Sequence, residues 1–123
     1  MAEDIEFTEG QGFLEARFLR TLSLEHHKGQ ILQSVQAARA RKLTRLLVDL
    51  RGMTGYSPST TDRFEIGSFG AEVSGGIRVA IVLTTRQSRD PFAAKVARNR
   101  GLEIEVFDDP SEALEWLLGK AAK

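Results

Sequence analysis

The chain has no cysteine. That absence removes disulfides, thiolate metal sites, iron–sulfur clusters and cysteine nucleophiles together, and it suits a reducing compartment. An excess of one charge is missing as well, because 17 Lys and Arg balance 17 Asp and Glu. A general attraction to nucleic acid or to an anionic membrane surface therefore has no basis. Long hydrophobic runs are absent. The most apolar stretch, Val79 to Leu83, is far too short to span a bilayer. The first residues, Met-Ala-Glu-Asp-Ile-Glu, are acidic where a signal or transit peptide would be basic, so a cytoplasmic address is expected. No serine elbow or Cys–His pair is visible, and neither the P-loop nor the dinucleotide-binding glycine pattern occurs. The expectation is a protein without catalytic residues, without a cofactor and without a metal.

What remains is ordinary globular composition, with 41% hydrophobic and 28% charged residues in 123. That suffices for one core, and residues 1–123 read as a single domain. All three prolines follow a good helix N-cap: Ser57-Pro58, Asp90-Pro91 and Asp109-Pro110. Proline suits the first helical position and pushes its predecessor out of helical geometry. Three helix starts are thus placed, the third supported by Glu112 at capping-box spacing from Asp109. A strand-like run precedes each. Leu46–Leu50 and Val79–Leu83 are almost unbroken apolar runs, as in central strands covered on both faces. Glu103–Phe107 alternates polar with apolar, as at a sheet edge.

The N-terminal part alternates differently. Ile5 and Phe7 flank Glu6, Gly10-Gln11-Gly12 supplies a turn, and Leu14, Ala16 and Phe18 alternate with Glu15 and Arg17. This reads as a β-hairpin. A long helix is expected from about Ser23 to Lys42, with Leu24, His27, Ile31, Val35 and Ala38 on one stripe. The last helix turns Ala113, Leu114, Trp116 and Leu117 inward, with Trp116 a core residue. The order β-β-α-β-α-β-α-β-α implies an α/β fold with a mostly parallel five-stranded sheet and an antiparallel first strand.

The residues from Leu46 through Asp49-Leu50-Arg51-Gly52-Met53 resemble the STAS segment, in which an apolar strand ends in Asp-Leu-x-Gly-apolar. The Arg78–Val82 strand and the closing Val106-Phe107-Asp108 with Ala113-Leu114-Glu115-Trp116-Leu117 are similar to the SpoIIAA-like family. The resemblance runs from about Phe13 to the end. It implies sequential strand order, helices mainly on one face, and a role as an interaction module. Some STAS relatives are switched by phosphorylation in an Asp-Ser-Ser-Gly motif, the second serine being the acceptor. Ungapped from Asp49, this chain places Ser57, Pro58, Ser59 and Thr60 there. Ser59 stands at the acceptor position, and both flanking motif residues have changed.

Ser57, Ser59, Thr60 and Thr61 put hydroxyls at a helix start, where free amide donors favour anions or a phosphoryl group, although such residues also simply cap helices. Thr84, Thr85 and Arg86, continuing through Gln87, Ser88 and Arg89, follow the next strand. In an open parallel sheet ligands sit beyond the carboxyl ends of strands, so both loops are expected on one rim. His26 and His27 are adjacent and point about 100° apart on a helix, so they make no chelate. Arg39, Arg41, Lys42 and Arg45, like Arg98 and Arg100, complement helix C-termini. Asp49 resembles the acceptor aspartate of response-regulator receivers, but the acidic pair and the lysine such sites need are missing. It reads as a loop-organising residue.

Sequential order would place the helices on one face and leave apolar side chains on the other. Each such side chain gains about 1.5–3 kcal/mol on burial, so a cover is expected: the Gly67–Gly75 segment, a second subunit or an apolar ligand. Phe64–Gly76 is either a lid or an irregular helix ending in a glycine turn, and the helix is preferred. Two functions follow. The first is a regulatory protein-interaction module, self-associating as a homodimer. The second is a carrier for a small apolar or lipid molecule, held on the sheet face or the rim.

Overall fold

The computed structural model describes residues 4–86 and 91–119. Along them run β1 (Ile5–Glu9), β2 (Leu14–Phe18), α1 (Leu24–Ala40), β3 (Arg45–Asp49), α2 (Thr60–Val73), β4 (Arg78–Val82), α3 (Phe92–Asn99), β5 (Glu103–Phe107) and α4 (Pro110–Leu117). The sheet order is β1-β2-β3-β4-β5. β1 is antiparallel to β2 and every other pairing is parallel, as expected. Gln87, Ser88, Arg89 and Asp90 lie outside the described residues, as do the first three and last four residues.

Strand periodicity sorts the side chains into two layers. Leu14, Ala16, Phe18, Leu46, Val48, Val79 and Ile104 face α1 and α3 on the front, meeting Val35, Ala38, Ala94 and Ala97. Leu47, Ala80 and Val82 face the rear, where Ala113 and Leu117 of α4 cover them. The two near-continuous apolar strands are explained by this arrangement, since β3 and β4 are buried on both faces. The cover of the rear face is α4, so neither the Gly67–Gly75 segment nor a second subunit is needed there. Arg78 fastens α4 to the sheet: its guanidinium lies 3.9 Å from the Trp116 ring centre and donates to the Trp116 carbonyl at 2.7 Å. Over β1 and β2 the rear face is polar instead, with Arg17 3.8 Å from each of Glu6, Glu15 and Asp49.

The helix starts need correction in two of three cases. α2 is capped by Ser59, not Ser57. Ser59 Oγ accepts from Asp62 N–H at 3.0 Å while Asp62 Oδ2 accepts from Ser59 N–H at 3.3 Å. Ser57 has Thr60 three residues on, which offers no carboxylate for that reciprocal box. α3 begins at Phe92 with Pro91 as its cap, because ψ of 46° takes Pro91 out of helical geometry. α4 starts as expected at Asp109 and Pro110, but Asp109 Oδ1 accepts from Ser111 N–H at 2.9 Å, replacing the box with Glu112. Residues 64–76 form the body of α2 and its glycine turn, with Gly76 at φ 81°. Among the described residues no helix is long and apolar enough to cross a membrane.

Candidate functional site

α2 packs mainly on α1 and α3. Its buried residues are Gly67 and Gly70, three apart on one face. A Cβ at Gly67 would stand 2.3 Å from the Ala93 carbonyl oxygen, so that glycine lets α2 press against α3. A Cβ at Gly70 would meet nothing within 4 Å. A helix held off the sheet, with no side chain reaching down from Gly70, leaves space beneath it. That space is a cavity of about 420 Å³.

Val48, Val79, Ile81 and Ile104 form its floor, Ile31 and Val35 one wall, Ala94 and Ala97 the other, and Ile66 of α2 its roof. His27, Tyr56, Ser57 and Arg63 contribute polar lining towards the carboxyl ends of the strands, and Ser34 and Ser74 contribute it elsewhere. His27 packs edge-on to Phe18 at 5.7 Å between ring centres and lies 6.4 Å from Tyr56. It is 6% exposed, and its Nδ1 has no hydrogen-bond partner. Burial pulls its pKa down to about 4, with a side-chain interaction with Gln30 offsetting part of this and the neighbouring His26 adding to it. The ring is therefore neutral at physiological pH.

The loop carrying Tyr56 is held by the chain entering α1. Thr21 N–H donates to Thr54 O at 2.9 Å, and Arg20 bridges to Thr54 in parallel. Gly55, at φ 99°, sits where a Cβ would be 2.6 Å from the Thr21 carbonyl oxygen. Thr21 Oγ1 in turn donates to Gln30 Oε1 at 2.6 Å, Gln30 Nε2 donates to Arg20 O at 2.8 Å, and Ser34 Oγ donates to Gln30 O at 2.9 Å. The Tyr56 hydroxyl donates to Asp62 Oδ2 at 2.7 Å. Burial first, and then the Asp62 carboxylate, push the tyrosine up to about 12. That same Tyr56 bond and the Ser59 N–H hold Asp62 below the usual carboxylate range.

The residues singled out from sequence fall into separate groups. Ser57 is exposed and lines the cavity. Ser59 is the α2 cap, its oxygen already accepting from Asp62 N–H, while Thr60 and Thr61 are exposed on the first turn. Thr84, Thr85 and Arg86 are exposed beyond β4, where Thr85 Oγ1 donates to Asp108 Oδ2 at 2.9 Å. Asp49 is bonded to Arg51, two residues on. Oδ1 accepts from Arg51 N–H at 3.0 Å and Nε–H at 3.1 Å, and Oδ2 accepts from the second guanidinium nitrogen at 3.0 Å. Burial pushes its carboxyl up, but the Arg51 bonds and charge and nearby Arg17 outweigh this, leaving the pKa lowered.

The two histidines diverge as their spacing requires. His26 Nδ1 accepts from Leu22 N–H at 2.9 Å and its Nε2 lies 3.4 Å from Asp4, whereas His27 turns inward. Among the described residues no group of three or more His, Asp or Glu is placed to hold a metal ion. Basic residues at the end of α1 act on carbonyls: Arg41 donates to Ala37 O and Arg39 to Gly75 O, each at 2.9 Å.

The fold is similar to the crystal structure of an uncharacterized protein of the DUF3478 family with a SpoIIAA-like fold from Shewanella loihica PV-4. The two are 24% identical, the match covers 92% of this chain and 91% of that one, and the TM-score is 0.55. No protein-family model and no curated protein matches the chain. The SpoIIAA-like architecture anticipated from the Asp49 and Trp116 segments is the one the chain adopts.

Proposed function

We propose that this SpoIIAA-like domain is a non-enzymatic binding module that holds one small apolar molecule between α2 and the sheet. The cavity of about 420 Å³ carries the reading. Ligand pockets commonly run from about 300 to 1,000 Å³, and an engineered cavity of about 150 Å³ already takes benzene. Scaled in that way, this space holds roughly fifteen non-hydrogen atoms. Its floor and walls are aliphatic, so burial of such a ligand is driven by release of apolar surface from water. Among the described lining residues no serine is hydrogen-bonded to a base, and the one hydroxyl that meets a carboxylate, Tyr56 on Asp62, has its pKa pushed up to about 12, which supports binding over catalysis.

Native mass spectrometry of protein purified without detergent from its own host tests this. The expected result is a non-covalent adduct of a few hundred daltons, absent in Gly70→Leu, whose side chain fills the space beneath α2. A bare chain mass, together with no uptake of small apolar probes, would overturn the reading.

A second reading, a regulatory interaction module that self-associates, has support in two exposed hydrophobic side chains, Leu22 at 58% and Phe64 at 45%. Sedimentation velocity over a wide concentration range separates the two. A mass that rises with concentration in the wild type and not in Phe64→Ser favours association through that surface. A monomer throughout removes it.

A further inference from the structure

Three buried side-chain polar atoms among the described residues lack a partner: His27 Nδ1, Ser68 Oγ and Arg78 Nε. Of these residues His27 alone lines the cavity. The other hydroxyls of the lining that the fold has engaged are spoken for, Tyr56 by Asp62 and Ser34 by the Gln30 carbonyl. A buried ring nitrogen without a partner is costly, and native proteins rarely leave one so unless something else supplies the bond.

We infer that the molecule held beneath α2 carries an uncharged hydroxyl group, and that the His27 imidazole is the anchor that receives it. The inference rests on the cavity being a ligand site. Nδ1 has no partner of its own: it is an acceptor if the ring's proton sits on the nitrogen that meets Gln30, and a donor if it does not. A hydroxyl is both, and matches either form. A carboxylate matches only the donor form and would bring a charge among aliphatic walls. Imidazolium, which would offset that charge, does not form at neutral pH in this site. Arg63 also lines the cavity, which makes a carboxylate the head group to test against. The apolar remainder of the ligand lies along Val48, Val79 and Ile104.

Naphthalene, naphthol and naphthoate share one ring system of suitable size and are followed by their own fluorescence. In the wild type naphthol should bind at least about fivefold more tightly than naphthalene, the gain from one net hydrogen bond. His27→Phe should erase that difference. In the wild type, the imidazole nitrogen chemical shifts should move with naphthol and not with naphthalene, a measurement that stands even if His27→Phe does not fold. Equal affinities for naphthol and naphthalene would overturn the anchor while leaving the apolar site intact. So would a naphthol advantage that survives His27→Phe, or a preference for naphthoate. If none of the three binds, the cavity reading itself falls with it.

Discussion

His27 takes its proton near pH 4 inside the fold and near 6.5 once the chain unfolds, because burial removes the water that would stabilise imidazolium. Between those values only the unfolded chain binds the proton, so acid favours unfolding there. The contribution is complete above pH 6.5 and falls away as the pH drops towards about 4. From about pH 7 to about pH 5 the wild type should lose roughly 2 kcal/mol in urea unfolding, and His27→Phe should flatten that slope. Asp49 acts over a lower range. Its folded pKa is depressed below 3.8, so its contribution is present above that value and is lost as the pH falls through the folded one. Asp49→Asn should cost about 1–2 kcal/mol near neutrality, limited by the exposure of Arg51, and nothing in strong acid. A penalty that persists in strong acid would mean that packing, and not charge, is what Asn disturbs. The role of Asp49 was legible because a strand running into Arg51-Gly52 needs its turn amide satisfied. His27 was legible as a packing residue on the α1 stripe. Its place in a cavity wall was not, since that depends on how far α2 stands from the sheet.

Among the elements, α2 is the one whose sequence and position have to be read together. Gly67 and Gly70 differ by one turn and have opposite surroundings, so the same substitution should have opposite signs. Gly67→Ala drives a methyl group against Ala93 O and Val96 Cβ, at 2.3 and 2.8 Å before relaxation. It should destabilise by about 1–3 kcal/mol and loosen α2 from α3. Gly70→Ala places its methyl group in open space and gains helix propensity, so it should stabilise by up to about 1 kcal/mol. Thermal unfolding of the pair decides the point. If both destabilise equally, the space beneath Gly70 is not open in solution. The strands were readable to within a residue because period-two alternation and unbroken apolar runs are local signals. Helix starts were less so. Proline marked the neighbourhood of α2, but a reciprocal Ser59–Asp62 box outcompeted the Ser57-Pro58 start. Gln30 and Ser34 lie buried on the α1 stripe because Thr21 and backbone carbonyls satisfy them, partners that helical spacing cannot reveal.

For the whole molecule, sequential strand order with one handedness of crossover puts α1, α2 and α3 on a single face. The apolar composition of β3 and β4 then requires something on the other. The sequence revealed the requirement and not the solution, because a helix after the last strand is free to return over either face. α4 returns over the rear, and it is the helix that closes it, so the integrity of that side rests on a few contacts. Leu117 is fully buried against Leu47, Ala80 and Val82. Leu117→Ala should cost about 2–5 kcal/mol. Its further effect should distinguish a cover from an ordinary core contact: with α4 loosened, apolar surface opens over β3 and β4 while the front layer stays packed. Binding of an environment-sensitive dye should then rise at urea concentrations below the main transition, and amides of α4 should exchange ahead of those in α1. Under the same conditions Val35→Ala, which thins the front layer beneath α1, should lower the transition without either sign. If the two variants behave alike, α4 unfolds only with the sheet, and the rear face is as cooperative a part of the molecule as the front.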